Sequence, residues 1–377
     1  MSAFDLTSQT IADLNFGTDS TFEVLTWNIE HFPKNGNTTL NYVSDIIEAL
    51  DVDLIAIQEV EDISSFNQLV ADLNGYEGYL ESSYFAGLAY IYKTGSIVIN
   101  DIYEIYTTSQ YWSPFPRSPM VMELSFNNEN FIVINNHFKC CGDGELDHGD
   151  SNDEEKRRYI ASNLLKDYID TNFPNKRVIV LGDLNDILTD SESNNVFQSI
   201  IDDNTNYKFA DMDIGLGNSS NWSYPSWPSH LDHILITNEL FVELEKDESE
   251  IQTIKIDDYI SGGWSTYDSN ISDHRPVGLK ISPNITTDIT QIKKLELKLS
   301  SFPNPFDNSV NISTNLDDEN SEIIIYNVNG EKIVSFKLQH GENTVIWNAG
   351  LYPNGMYFAK LISKNNVLAN TKLLLIK

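Results

Sequence analysis

Five short polar motifs carry the first information about chemistry in this chain. Each places an Asn, Glu, Asp or His directly after an apolar run that has the length of a buried strand. In chain order they are Thr26-Trp27-Asn28-Ile29-Glu30, Ile57-Gln58-Glu59-Val60, Asn135-Asn136-His137-Phe138, Gly182-Asp183-Leu184-Asn185 and Ser272-Asp273-His274-Arg275-Pro276. Strand ends that converge with oxygen ligands and two imidazoles are typical of a metal-assisted hydrolase.

Glu59 and Asn28 are the first candidates for metal ligands. Glu59 follows the strand-like run 53–58, whose end would project its side chain into a cleft; the alternative is a surface Glu at a strand terminus. Asn28 follows the run 23–27 in the same way, although an isolated Asn there is more often a turn cap. Because Mg²⁺ takes oxygen ligands and keeps several waters, one or two carboxylates and an amide oxygen suffice.

His274 is the candidate general base. An unperturbed imidazole titrates near pH 6.5, which suits proton transfer at neutral pH. Such a histidine needs a carboxylate to fix its tautomer, and Asp232, which heads the strand-like run 234–236, is our candidate. His137 would then face the other side of a phosphate as a hydrogen-bond donor. Either histidine alone would more often be structural.

Asp183 and Asn185 flank Leu184 and would point to one face of an extended segment. That arrangement suits an Asp that binds metal or orients water beside an Asn that contacts phosphate. Gly182 would allow a close approach of the backbone.

The elements that must position these residues are short strands and amphipathic helices. Apolar residues at i, i+3, i+4 and i+7 predict helices at Leu40–Leu50 and Tyr159–Tyr168. Strands are predicted at Phe22–Thr26, Leu54–Gln58, Leu88–Tyr92, Phe131–Asn135, Val178–Leu181 and Ile234–Thr237. The mixture favours an α/β or α+β domain over residues 22–282, in which helices cover sheets.

The chain is 377 residues long with a net charge of -32, all of it in residues 1–282. That part holds 47 acidic and 15 basic side chains, whereas residues 283–377 hold nine of each. A surface this acidic repels polyphosphate, so a nucleic-acid substrate would need local cations or bound metal; the alternative reading is solubility in a salty exterior. No apolar run reaches the roughly 18 residues of a membrane span.

The two cysteines and the acidic segment after them leave alternatives open. Cys140 and Cys141 are the only cysteines, which excludes a disulfide framework and a thiolate zinc site; they are either a strained vicinal disulfide or two free thiols. Residues 143–153 carry Asp143, Glu145, Asp147, Asp150 and Asp153. This loop could bind Ca²⁺, but its spacing does not fit an EF-hand, and the alternative is a solvated acidic loop.

Composition divides the rest of the chain. Residues 1–21 are predicted to be an N-terminal arm and 283–297, which are polar and threonine-rich, a linker. From residue 298 to 377 alternating patterns predict about seven short strands and therefore a small all-β sandwich.

The five motifs, in this order, resemble those of the endonuclease/exonuclease/phosphatase superfamily over residues 22–282. The resemblance implies an α+β fold, a four-layer αββα sandwich, and phosphoester cleavage that depends on Mg²⁺; the sequence leaves Mn²⁺ open as an alternative ion. It also implies roles for individual residues. The implied roles are metal binding by Asn28, Glu59 and Asp273, acid-side chemistry by His137 and Asp183, base chemistry by His274 with Asp232, and phosphate contacts by Asn185, Tyr84 and Arg117, the last in Phe115-Pro116-Arg117-Ser118-Pro119.

One motif departs from the pattern. Pancreatic-type deoxyribonucleases carry Tyr-x-Glu where this chain has Tyr84-Phe85-Ala86. The Tyr is kept and the Glu is missing, which puts DNA as the substrate in doubt.

The tail resembles the C-terminal sorting domain of the type IX secretion system. The residues that carry this likeness are Phe302-Pro303-Asn304-Pro305-Phe306, Ile323–Gly330 and Leu351–Tyr357. It implies export across the outer membrane of a Gram-negative bacterium, with release or surface attachment, and a signal peptide upstream of the given chain. The alternative is a carbohydrate-binding or adhesion sandwich, in which Trp347 and Tyr352 could form an aromatic platform.

Three functions follow as hypotheses. The leading one is an exported, monomeric Mg²⁺-dependent phosphodiesterase that degrades extracellular nucleic acid. The second is a phosphatase or phosphodiesterase for small or lipid-linked phosphoesters, which the charge and the missing Glu favour. The third is a non-catalytic surface-binding protein, which would be expected to have lost some of the candidate residues; none is lost.

Overall fold

The computed structural model forms two compact units, Met1–Asn284 and Ile285–Lys377. The residues that it describes are 9–82, 86–283, 299–314, 316, 321–328, 330–338, 344–363 and 366–377. Tyr84, residues 1–8 of the predicted arm and residues 284–297 of the predicted linker lie outside the described residues. No helix among the described residues is long and apolar enough to cross a membrane.

Two six-stranded sheets form the centre of the first unit. The first sheet has the order β11-β12-β1-β2-β4-β3 and the second β5-β6-β7-β8-β10-β9. The strands are β1 (Phe22–Phe32), β2 (Leu54–Val60), β3 (Tyr76–Leu80), β4 (Gly87–Lys93), β5 (Ile97–Glu104), β6 (Met120–Phe126), β7 (Glu129–His137), β8 (Val178–Asp183), β9 (Tyr207–Phe209), β10 (Asp232–Thr237), β11 (Glu250–Thr253) and β12 (Val277–Ile281). The pairs β1–β2 and β7–β8 are parallel, and the other pairs are antiparallel.

Helices cover both outer faces. Asp62 caps α2 and Asp153 caps α3, each accepting a hydrogen bond from a backbone N–H of the first turn. The α-helices are α1 (Asn37–Leu50), α2 (Ile63–Asp72), α3 (Glu154–Asn172), α4 (Gln198–Ile201), α5 (Met212–Gly215), α6 (Phe241–Leu244) and α7 (Gly263–Asn270). Short 3₁₀ helices occur at Ile11–Asp13, Ser109–Tyr111, Ser219–Asn221, Asn238–Leu240 and Ile256–Tyr259.

Alternation along the central strands separates the apolar side chains into three cores. In β1, Val24 packs between the sheets whereas Leu25 and Trp27 face α1 and α2. A third core lies between the second sheet and α3, where Leu165 is buried. Three cores between four layers confirm the predicted αββα sandwich.

A polar bridge joins the two sheets close to the strand ends. Gln58 Nε2 donates to Asn135 Oδ1 at 2.8 Å, and Asn135 Nδ2 donates to the carbonyls of Ile57 and Ala89. Tyr90 Oη accepts from the Asn135 N–H at 2.9 Å. These buried groups satisfy one another across the inter-sheet core. They fix the relative position of the strand ends that carry the predicted chemistry.

A buried carboxyl near the start of β1 makes stability sensitive to pH. Burial raises the pKa of Glu23 to about 8, against the lowering effect of a hydrogen bond from Thr21 and with the neighbouring Asp53 carboxylate adding to the rise. The folded protein therefore keeps this proton while the unfolded chain loses it above about pH 4.5. The contribution of this bound proton to stability is therefore largest below about pH 4.5 and is lost as the pH rises towards 8.

We expect Glu23→Gln to remove this loss, because a neutral amide has no proton to release. The free energy of unfolding is measured in urea for the variant and the parent at pH 5.5 and at pH 8. The stabilisation of the variant over the parent should be larger at pH 8 than at pH 5.5 by on the order of 2 kcal/mol. Glu48→Gln, on the exposed face of α1, is the control. An equal effect of Glu23→Gln at both pH values would contradict the prediction.

The second unit is a small all-β domain, as predicted. Its three-stranded sheet has the order β13-β14-β17 and its four-stranded sheet β16-β15-β18-β19. The strands are β13 (Leu299–Phe302), β14 (Ser309–Thr314), β15 (Ser321–Asn327), β16 (Lys332–Lys337), β17 (Thr344–Asn348), β18 (Gly355–Ser363) and β19 (Asn366–Leu375). Trp347 is buried among Phe306, Tyr352 and Tyr357, so it serves the core, and the suggestion of an exposed aromatic platform at Trp347 is wrong.

Candidate active site

All five motifs meet at one edge of the sandwich, around a cleft of about 510 Å³. The parallel pairs β1–β2 and β7–β8 bring their carboxyl ends to this edge. Six of the predicted residues line the cleft, namely Glu59, His137, Asp183, Asn185, Asp273 and His274. Asn28 and Asp232 are buried and hydrogen-bonded to cleft residues.

Strand register places three of these side chains next to one another. His137 at the end of β7 pairs with Asp183 at the end of β8, and Asp183 pairs with Asp232 at the start of β10. Gly182 makes the first pairing possible, since a Cβ at this position would lie 2.0 Å from the Asn136 carbonyl oxygen.

Asp232 and His274 form a buried carboxylate–imidazole pair. His274 Nδ1 lies 2.7 Å from Asp232 Oδ2, so the proton on Nδ1 is held and Nε2 faces the cleft. Burial alone would lower the pKa of His274, but the Asp232 and Asp183 carboxylates outweigh it and raise the pKa to about 10. Ser272 fixes the loop by donating to the Asn28 carbonyl and accepting from the His274 N–H.

Asp183 is the centre of the cluster. Its Oδ2 accepts from Asn28 Nδ2 at 3.0 Å and lies 3.4 Å from His137 Nε2 and 3.9 Å from His274 Nε2. Burial raises the pKa of Asp183 to about 7; the charge of His274 opposes the rise, and the carboxylates of Asp232 and Glu59 add to it. This carboxyl therefore titrates near neutral pH.

His137 is a neutral ring in the same environment. Burial holds its pKa well below the usual 6.5, and the positive charges of Arg117 and His274 lower it further. A neutral imidazole protonated at Nε2 can donate one hydrogen bond to an oxygen in the cleft. Arg117 is half-buried and does not belong to the cleft lining, and the negative charges of Glu59 and Asp183 act on its guanidinium.

Glu59 enters the cleft through an unusual backbone conformation. Irregular pairing on both sides of β2 accompanies a φ of 69° at this residue, a strained geometry that clusters at functional sites. Glu59 Oε1 accepts from Asn28 Nδ2 at 3.1 Å and Oε2 from the His31 N–H at 3.0 Å. The Asn28 oxygen accepts from the Glu30 N–H at 2.9 Å.

Asp273 and Asn185 complete the predicted set. Burial raises the pKa of Asp273 to about 6; His274 opposes the rise, and Glu30 and Glu59 reinforce it. Asn185 has a φ of 54°, which Asn tolerates, and its Nδ2 donates to the Phe138 carbonyl at 3.3 Å.

Several residues of the cleft were not predicted from the sequence. Glu30 lies in the first motif and its carboxylate accepts from the Asp273 N–H at 2.8 Å, so it holds the loop of the last motif. Tyr224 packs on His274 with ring centroids 4.8 Å apart, and Trp227 lines the cleft with 78% of its surface exposed. The last two belong to an irregular segment, where strand periodicity says nothing about side-chain direction.

The vicinal cysteines are two free thiols at the rim of the cleft, with their Sγ atoms 3.0 Å apart. A disulfide would require about 2.05 Å. In the acidic loop the structure brings Asp143 and Asp153 together with Glu155. Glu145, Asp147 and Asp150 do not belong to that group.

A further polar group next to the site is a closed structural unit. Asp211 Oδ2 contacts His230 Nε2 at 3.0 Å and His233 Nδ1 at 2.6 Å, and its Oδ1 accepts from the Ile234 N–H. His233 Nε2 also donates to the Asp186 carbonyl at 2.8 Å. All three side chains are buried and bonded to one another, so this group supports β10.

Comparison with known proteins agrees with this architecture. Residues 25–274 match the sequence model of the Endonuclease/Exonuclease/phosphatase family, and residues 300–377 match that of the secretion system C-terminal sorting domain. No curated protein matches the sequence.

Solved structures with the same fold include TDP2 of D. rerio complexed with a single strand DNA product, at 11% identity and a TM-score of 0.52. A humanized D. rerio TDP2 has 11% identity and a TM-score of 0.50. Both matches cover 70% of this chain and 99% of the other. The human Nocturnin catalytic domain has 15% identity and a TM-score of 0.49, with 70% of this chain and 95% of the other covered.

The fold and the site define a phosphoester hydrolase with a sorting tail of the type IX secretion system. The chain belongs to the Endonuclease/Exonuclease/phosphatase family. Its sorting domain makes it a secreted or cell-surface protein of a Gram-negative bacterium.

Proposed function

We propose that the protein is a Mg²⁺-dependent phosphodiesterase that degrades extracellular nucleic acid. The observation that carries this proposal is the buried cluster in which Asp183 lies within 3.9 Å of both His137 Nε2 and His274 Nε2. Both imidazoles line the cleft beside this carboxylate, so a phosphate bound in the cleft would meet a proton donor and a proton acceptor.

The residues of the cleft fit a divalent cation. Glu59, Asp183 and Asp273 line the same cleft, and burial together with the negative charge of Glu59 raises the pKa of both Asp183 and Asp273. These carboxylates offer the hard oxygen ligands that Mg²⁺ prefers, and Mn²⁺ shares this preference. Glu59 and Asp273 would hold the ion, and Asn28 would join them once its amide is turned, because its Nδ2 now donates to Glu59 and Asp183. When bound, the ion neutralises phosphate charge and offsets the carboxylates that keep His274 protonated.

The protein side chains divide the chemical work. His274, oriented by Asp232, takes the proton of the attacking water, and Asp183 positions that water. His137 donates its Nε2–H to a phosphate oxygen from the other side. Arg117 and Asn185 stabilise negative charge on the phosphate. Tyr84 is assigned a phosphate contact on the motif alone.

The substrate class depends on the rim of the cleft. Trp227 and Tyr224 offer aromatic faces beside the phosphate position, and such faces stack on nucleobases. The second candidate is a small or lipid-linked phosphoester, favoured by the charge of -32 and by Ala86 in place of the expected Glu.

A substrate panel tests the proposal. Purified protein with MgCl₂ is incubated with plasmid DNA, RNA, bis-p-nitrophenyl phosphate and p-nitrophenyl phosphate. We expect cleavage of the nucleic acids and of the diester, with loss of activity in EDTA and recovery on adding Mg²⁺. Cleavage of the monoester alone would rule out the nuclease, and inactivity on every substrate would favour a binding protein.

Trp227→Ala is expected to raise KM for a short single-stranded oligonucleotide by about tenfold, since stacking on one base contributes about 1–3 kcal/mol. The value of kcat should change little, because the indole does not contact the proposed reacting groups. Trp112→Ala is the matched control: Trp112 is 63% exposed and lies outside the cleft lining. Equal KM values for Trp227→Ala and the parent would exclude base stacking at this rim.

A further inference from the structure

The loop between β7 and α3 forms part of the cleft wall and has an acidic group of its own. Cys140, Cys141, Gly142 and Gly144 line the cleft from this loop. Directly behind them the loop turns back on the first turn of α3, where Glu155 is buried. The Gly144 N–H donates to Glu155 Oε1 at 2.8 Å.

Three carboxylates in this place have the spacing of cation ligands. Asp143, Asp153 and Glu155 each offer an oxygen, and these atoms all lie within 4.8 Å of one another. Oxygen ligands sit about 2.3–2.6 Å from Ca²⁺, so two ligands on opposite sides are about 4.6–5.2 Å apart. The three oxygens therefore fit around a single ion. Asp143 is exposed, which leaves room for water to complete the coordination.

Glu155 provides an independent observation that points to a ligand. Its side chain is 3% exposed, and its Oε1 has two donors, the Gly144 N–H and Arg158 Nη2 at 3.1 Å. Its Oε2 is buried and has no hydrogen-bond partner among the residues that the structure describes. A buried carboxylate oxygen without a donor is costly, and a cation bound by this carboxylate would offset that cost.

The positive charges around the group do not balance it. Arg158 is shared, since its Nε also donates to Asp186 Oδ2 at 2.8 Å. Lys156 directs Nζ to the His148 carbonyl, and Lys139 directs Nζ to the Cys140 carbonyl and towards Glu154. The carboxylates of Asp143, Asp153 and Glu155 thus keep an excess of negative charge that attracts a hard cation.

We propose that Asp143, Asp153 and Glu155 bind a Ca²⁺ ion that fixes the cleft wall formed by residues 140–144. Ca²⁺ suits this group better than Mg²⁺, because it accepts irregular sets of six to eight oxygens whereas Mg²⁺ demands a near-ideal octahedron. An exported protein meets calcium at concentrations that fill sites with dissociation constants of about 10⁻⁴–10⁻³ M. Glu155 lines the same cleft, but none of the three ligands belongs to the residues proposed to act on the phosphate, and the test reads binding and stability instead of cleavage.

The test measures the melting temperature of the full chain during titration with CaCl₂, with MgCl₂ held constant in excess. Isothermal calorimetry with CaCl₂ is run in the same buffer. We expect a Ca²⁺-dependent rise of about 3 °C or more for the parent protein. Glu155→Gln and Asp143→Asn should each weaken the apparent Ca²⁺ affinity by about tenfold or more, because each removes one ligand charge. Asp150→Asn, an exposed acid of the same loop that bonds only locally to the Asn152 N–H, is the matched control and should behave as the parent.

If Glu155→Gln destabilises the buried contact with Arg158, Asp143→Asn still tests the proposal, because an exposed side chain contributes little to folding. A parent protein with no Ca²⁺-dependent rise would overturn the proposal. The proposal would also be overturned if Asp143→Asn kept the parental Ca²⁺ affinity, or if Asp150→Asn lost as much Ca²⁺ affinity as Asp143→Asn. None of these results depends on the identity of the substrate or on the activity of the catalytic cleft.

Discussion

Glu59→Ala and His274→Ala are each expected to abolish Mg²⁺-dependent phosphodiester cleavage while leaving the fold intact. Glu59 is a proposed metal ligand, and its carboxylate also anchors Asn28 Nδ2 and the His31 N–H. His274 is the proposed base, and loss of a positioned acid–base group costs about 10²–10⁴-fold. The measurement is kcat/KM on bis-p-nitrophenyl phosphate across a MgCl₂ titration.

The control for this pair is Glu61→Ala. Glu61 lies two residues from Glu59, pairs with the exposed His31 at 2.7 Å and does not line the cleft. It should keep parental activity. Far-ultraviolet circular dichroism and the melting temperature check that each variant is folded. Retained cleavage in both Glu59→Ala and His274→Ala would remove the assignment of this cleft as the active site.

The sequence contained enough information for the architecture around the cleft. Each predicted strand of the first unit lies within an observed strand, because β-branched and aromatic runs bounded by polar residues are strong signals in buried sheets. Candidate residues were found for the same reason: a polar side chain directly after such a run must leave the sheet at its edge. Asp232, chosen because it heads a predicted strand, lies 2.7 Å from His274.

Other parts were missed for identifiable physical reasons. In the edge strand β5 only Ile97 is buried, and the apolar run that starts there ends at Asn100, which is too short to predict a strand. The pairing of Gln58 with Asn135 could not be predicted, because the two residues are far apart in sequence and their amides meet only across the core between the two sheets. Glu155 was overlooked because it lies inside α3, where an acidic first turn reads as helix capping rather than as a partner for Asp143.

Asp232→Asn is expected to lower kcat by about 10³–10⁴-fold with little change in KM. The amide still fills the space of the carboxylate, but it no longer holds the proton on His274 Nδ1, so the tautomer with a free Nε2 is lost. One carboxylate that raises the pKa of His274 also disappears, and the pKa of this ring should fall from about 10 towards its ordinary value. The measurement is kcat and KM for a phosphodiester at saturating Mg²⁺, with a thermal melt to check folding.

The pH dependence of this variant separates two ways in which His274 could act. A ring that accepts the proton of water must be neutral, so acidification protonates it and lowers the kcat of Asp232→Asn further. A ring that only stabilises negative charge must be protonated, so lowering the pH to about 5.5 would restore part of the lost kcat. In that case a group other than His274 would accept the proton of water. We expect the first result, because Asp232 fixes the tautomer that a base requires; partial recovery in acid would show that His274 is not the base.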